Sequence, residues 1–122
     1  MTDTTDTDLE PSTPLPVVPS VAPAIADVMQ RLRLDEDLQQ DAENSIPEAV
    51  AECESILERK LYATAQELAD AKDSKGLVIQ PDVTAAILLL IDATVGANSV
   101  QDAETKRSRA ESILLRRAYR GV

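Results

Sequence analysis

Pro81-Asp-Val-Thr-Ala-Ala-Ile-Leu-Leu-Leu-Ile-Asp-Ala-Thr-Val95, followed by Gly96, decides the fold. Proline suits the first turn of a helix, where its missing N–H has no partner to lose. A helix that is apolar nearly all the way round is one covered on several sides. The run falls short of the roughly 20 residues needed to cross hydrocarbon. It is therefore expected to be the central helix of the domain, with Val83, Ile87, Leu88, Leu90 and Ile91 as its core. Asp92 interrupts it, and a buried acid needs a partner or a proton. Two readings of Asp92 stay open: a polar seam with Thr84 on an exposed edge, or a pair with an arginine of the last helix.

Downstream, Ala97-Asn98-Ser99 reads as a loop, and residues from about 101 to 119 as a last helix with Ala103, Ala110, Ile113, Leu114 and Ala118 inward. Its outer face is basic, carrying Lys106, Arg107, Arg109, Arg116, Arg117 and Arg120. Several of these sit late enough to suit the negative end of a helix.

Upstream, Thr64-Ala-Gln-Glu67 fits a capping box opening a short helix, and Gly76 fits its C-terminal glycine. Leu77-Val78-Ile79 reads as a few extended residues, too short and isolated for a sheet. Before them an amphipathic helix is predicted over 46–62, with Ser45 as its cap and Pro47 in its first turn. Ile46, Val50, Cys53, Leu57 and Leu61 form its apolar face; Glu48, Glu52, Glu54 and Glu58 populate the others. A first helix is expected from Pro23 to Leu34, carrying Ile25, Val28, Met29 and Leu32. Asp35, Glu36 and Asp37 follow it, three acids where the dipole of the next helix favours them.

Residues 1–22 differ in kind. Rich in Thr, Asp, Ser and Pro, they cannot bury a core and read as an extended arm preceding a helical domain over 23–122. Within the arm, Pro14 to Pro19 favour polyproline-like backbone and offer Leu15, Val17 and Val18 as contacts for a partner. The fold class expected is all-α: a bundle of about four to five helices round a buried central one.

The apolar fraction of 43% is carried by aliphatic residues, with two Tyr and no Phe or Trp. Aromatics supply much of the buried area of small domains, so some stability is expected to come from contacts between subunits. The net charge of −10 opposes adhesion to phosphates. It is also uneven: residues 1–44 sum to −8, 45–100 to −5 and 101–122 to +3. Acidic front and basic tail are candidate surfaces for head-to-tail contact between copies, in particular Asp35, Glu36 and Asp37 against Arg107, Arg109, Arg116, Arg117 and Arg120.

Chemistry is sparse. His is absent and there are only three glycines, so neither the commonest general base nor a phosphate-binding glycine loop is present. Cys53 is alone, which rules out an intrachain disulfide and leaves no zinc-binding spacing. No enzyme activity, cofactor or metal is expected. Met1-Thr-Asp-Thr-Thr-Asp has neither the basic start nor the apolar run of a secretion signal, so synthesis in a cytoplasm and no membrane partner are expected.

Three segments together resemble the head-tail connector, or adaptor, family of tailed phages: Val28 to Leu34 with Asp35-Glu36-Asp37, the helix from Ile46 to Leu61, and Ile79-Gln-Pro-Asp-Val-Thr-Ala-Ala-Ile-Leu-Leu-Leu-Ile91. Members often show a proline, then an alanine-isoleucine-leucine-leucine-leucine run, then a short helix ending near an arginine; here these are Pro81, Ala86 to Leu90, and Arg116 to Arg120. Where many members have aromatics and an Asn-Arg-Glu segment after the central helix, this chain has Gly96-Ala97-Asn98-Ser99. The resemblance implies a virion protein of the phage neck, made in the host cytoplasm. It would form a homo-oligomeric ring of about twelve copies that joins the portal protein to the next neck or tail component. DNA would pass through without specific binding. On the residues alone, a different class also fits: a soluble acidic regulatory or inhibitor module that binds one basic partner protein.

Overall fold

A computed structural model of the protein describes residues 20–119. The arm contacts Leu15, Val17 and Val18, and Arg120, lie outside the described residues. The described chain runs α1 (Ile25–Arg31), a 3-10 turn (Glu36–Leu38), α2 (Gln39–Leu57), β1 (Leu61–Tyr62), α3 (Ala65–Ala71), β2 (Leu77–Val78), α4 (Pro81–Val95) and α5 (Val100–Tyr119). The all-α expectation holds: among the described residues, five α-helices, one 3-10 turn and one pair of two-residue strands make up the regular structure.

α4 packs against both α2 and α5, with Pro81 in its first turn. Val83, Ile87, Leu90 and Ile91 are buried as expected, with Ala86 and Ala93 beside them. Leu88 is only partly buried, at the margin of the core. From α5, Ala110 and Leu114 are buried and Ile113 and Ala118 pack partly against the same cluster.

α2 corrects the sequence reading most. Ser45 is no cap; it is buried inside a 19-residue helix that continues through Pro47. Ala42, Ile46, Ala49, Cys53 and Leu57 recur at intervals of three or four and make one buried stripe on both sides of the proline. Burial of that stripe offsets the roughly 3 kcal/mol that an interior proline costs. Ser45 Oγ donates to the Ala42 carbonyl at 2.9 Å, which satisfies a hydroxyl with no access to water.

Helix ends also differ from expectation. α1 stops at Arg31, and Arg33 turns left-handed at φ 54°, with Leu34 N–H bonded to the Met29 carbonyl at 3.0 Å. α2 ends at Leu57, with Glu58 at φ 56°, and α3 ends with Lys72 at φ 54°, so Gly76 does not close α3. Three non-glycine residues therefore perform the left-handed termination that glycine usually supplies.

The expectation that Leu77 and Val78 are too isolated to pair is overturned. They bond in parallel to Leu61 and Tyr62, in register Leu61 to Leu77 and Tyr62 to Val78. The Leu77 and Ile79 amides reach the Lys60 and Tyr62 carbonyls at 3.0 and 2.8 Å. Leu61 and Leu77 are both buried, so core contacts hold a bridge too short to stand alone. α3 fills the excursion between the two strands and buries no residue of its own. Thr64 Oγ1 does accept from Glu67 N–H at 3.1 Å, as the capping motif implied. Gly76 has another duty: a Cβ there would collide with Leu68 Cδ1 and approach Tyr62 Cε2 to 2.6 Å.

Candidate subunit-contact surface

α5 divides its basic residues into two groups. Those turned toward the rest of the domain are engaged. Lys106 Nζ lies 2.8 Å from Asp92 Oδ2. Arg107 Nη1 lies 3.2 Å from Glu52 Oε1 of α2, while its Nη2 donates to Thr94 Oγ1 at 3.1 Å. Arg117 directs Nη2 and Nε to Asp82 Oδ2 at 2.9 and 3.0 Å. These pairs clamp α5 along α4 and α2.

Asp92 thus pairs with the last helix, through a lysine rather than an arginine, and its carboxylate is about a quarter exposed, at 24%. The Thr84 seam is not what holds it.

Arg109 and Arg116 form the second group. Both are exposed, and neither has an ion-pair partner among the described residues. Seven residues apart, they fall on one face of α5, roughly 10 Å from each other along the axis. With Thr105, Ser108 and Ser112, short polar side chains of the same helix, and Ile113 they line a shallow hollow. The hollow therefore carries two arginines and one acid, Glu104, over a floor of short polar side chains.

Asp35, Glu36 and Asp37 sit at the turn between α1 and α2, all exposed. Asp35 starts the 3-10 turn without using its carboxylate as a cap. None of the three has an ion-pair partner among the described residues. Among the described residues Asp35, Glu36, Asp37, Arg109 and Arg116 are thus without ion-pair partners, whereas Arg107 and Arg117 are committed to the domain itself.

One signal the sequence reading missed was legible. Ser99 and Asp102 cap α5 reciprocally: Ser99 Oγ accepts from Asp102 N–H at 3.1 Å, and Asp102 Oδ2 accepts from Ser99 N–H at 3.5 Å.

Among the described residues two side chains titrate away from their ordinary range, and neither belongs to this surface. Burial, helped by Glu52 and Glu54, pushes the Cys53 thiol up to about 12. Tyr62 is also raised, by desolvation first and then by its hydrogen bond to Asp73 Oδ2 at 3.0 Å.

Among the described residues no group of three His, Cys, Asp or Glu is placed to hold a metal ion, and no helix is long and apolar enough to cross a membrane. No family model, curated protein or solved structure matches the chain.

Proposed function

We propose that the protein is a structural subunit of a tailed-phage neck. Copies associate head to tail into a closed ring that joins the portal to the next neck or tail component and lets DNA pass. The observation that carries this reading is the separation of unpaired charge. Arg109 and Arg116 stand on one face of α5, while Asp35, Glu36 and Asp37 stand at the α1–α2 turn. A heterologous contact between two such patches repeats from copy to copy and closes when the rotation allows.

The phage assignment rests on the connector-like pattern around Asp35–Asp37 and Ile79–Ile91. A net charge of −10 supports the role, because an acidic lumen repels phosphates and keeps DNA moving. The test is the copy number of this chain in density-purified virions, relative to major capsid protein. About twelve copies per particle are expected for a closed ring. Absence from particles, with one-to-one capture of a basic partner, would replace this reading with the inhibitor.

A further inference from the structure

Across the exposed face of α5 from the two arginines stand two acids. Glu104 and Glu111 are exposed, and neither has an ion-pair partner among the described residues. Each precedes an arginine by five residues: Glu104 precedes Arg109, and Glu111 precedes Arg116. Five residues turn a helix by about 140°, so the two signs occupy opposite edges of one face. Acid and base three or four residues apart can pair along a helix; five apart they cannot. Arg107 stands three or four residues from both acids and is held by Glu52 and Thr94 instead.

Between the two edges, Thr105, Ser108, Ser112 and Leu115 are exposed and recur at intervals of three, four and three. That is the spacing of the a and d positions along the seam of a two-stranded coil. It puts Glu104 and Glu111 at g, and Arg109 and Arg116 at e. In a parallel pair, each g residue meets the e residue five further along in the partner, so Glu104 meets Arg109 and Glu111 meets Arg116 from both sides. An antiparallel pair would set arginine against arginine and glutamate against glutamate.

Charge also selects the occupant. An acidic segment such as Asp35–Asp37 of a neighbour satisfies the arginines but is repelled by Glu104 and Glu111. A second α5 laid parallel offers the opposite sign at all of these positions. Among the described residues, the hollow on this face is lined by α5 alone, so no other element stands in the way. Ser108 and Ser112 are short enough for two helix axes to approach closely. Leu115, exposed at 38%, is the one large apolar side chain of the seam.

We propose that two copies of the chain pair through α5, parallel and in register, held by Glu104–Arg109 and Glu111–Arg116 contacts in both directions. The pair does not rest on the neck reading. It engages the arginines that a head-to-tail contact needs, so it is the state of the chain outside the ring. A seam this polar takes its direction from charge and separates readily when the ring contact replaces it.

Sedimentation equilibrium of full-length chains tests the pairing, with circular dichroism to check each fold. The parent is expected as a dimer. Glu104→Arg/Glu111→Arg and Arg109→Glu/Arg116→Glu chains should each dimerise about tenfold or more weakly, and a one-to-one mixture of the two should restore the parent's dimer. Independently, Ser108→Cys should crosslink to itself under mild oxidation about tenfold or more faster than Ala69→Cys, an exposed position on α3, because pairing raises the local thiol concentration. Cys53 is buried and stays out of the reaction. Undiminished association of the Glu104→Arg/Glu111→Arg chain overturns the α5 pair and leaves a contact made by the arginines alone, as the head-to-tail reading requires. A mixture that stays monomeric, or Ser108→Cys that joins to Ser112→Cys but not to itself, overturns the parallel register. A monomeric parent overturns the pair, while the copy number in virions still decides the ring.

Discussion

Lys106 Nζ stands 2.8 Å from Asp92 Oδ2 and also donates to Asn98 Oδ1, so one cation fastens α5 to the end of α4 and to the loop between them. Asn98 Nδ2 completes the knot by donating to the Asp92 carbonyl at 2.6 Å. Lys106→Met is expected to lower stability by about 1–2 kcal/mol, and a double-mutant cycle with Asp92→Asn should give a coupling near 1 kcal/mol. Urea denaturation measures both, and a coupling of zero would make the pair incidental.

Gly96 follows α4 with an ordinary φ of −72°, so its lack of a side chain matters for space rather than for backbone freedom. A Cβ there would meet Asp92 Oδ1 and come within 2.6 Å of the Asp92 carbonyl oxygen. Gly96→Ala should therefore destabilise by about 1–3 kcal/mol, with backbone displaced at the α4–α5 connection. A thermal midpoint unchanged from the parent chain would refute the packing argument.

Cys53 reports on pH. Its thiol titrates near 12 in the folded state against an ordinary 9.0, so the folded chain retains a proton that the unfolded chain releases. Stability from this group is full below pH 9.0 and is lost as pH rises toward about 12, at up to about 1.4 kcal/mol per pH unit. Cys53→Ala should flatten that alkaline limb in denaturation curves. Aromatic-disulfide reagents should modify native Cys53 at pH 8 only as fast as the domain opens.

Reversal of the exposed strip, Arg109→Glu with Arg116→Glu, should leave folding stability within about 0.5 kcal/mol, since both side chains are surface residues. Self-association should weaken by about tenfold or more and lose its salt sensitivity. Sedimentation velocity at two ionic strengths checks this. Arg107→Glu should instead lower monomer stability, because Glu52 and Thr94 lose their partner.

Removal of residues 1–19 should preserve the helical signal and the unfolding midpoint while weakening assembly. The cut stops at 19 because Val21 and Ala22 pack partly against the core. Circular dichroism and sizing of the truncated chain test the two halves separately. Unchanged assembly would leave the arm without a role.

The central helix was legible because Val83 to Ile91 leave no doubt about burial, whatever surrounds them. The course of α2 was less so. Pro47 reads locally as a boundary, and only the packed stripe from Ala42 to Leu57 shows why the helix runs through it. Arg33, Glu58 and Lys72 carry no local sign of left-handed backbone, so three helix ends could be placed only from tertiary structure. The pairing of Leu61 with Leu77 depends on two residues brought together by α3, and periodicity has no hold on so short a strand. For the basic residues of the last helix, the sequence could not show their division: which arginines are engaged within the domain depends on where Glu52 and Asp82 stand.

The paired strands have one more consequence. The backbone departs at Tyr62 and returns beside it at Val78, and the intervening α3 gives nothing to the core. The core is thus closed without a buried residue from that excursion, so a fluorescent reporter or an affinity tag spliced in at the exposed Ala69–Asp70 turn of α3 should leave the domain folded, whereas Thr64, Asp73 and Gly76 are tied to Glu67, Tyr62 and Leu68 and are not free to move.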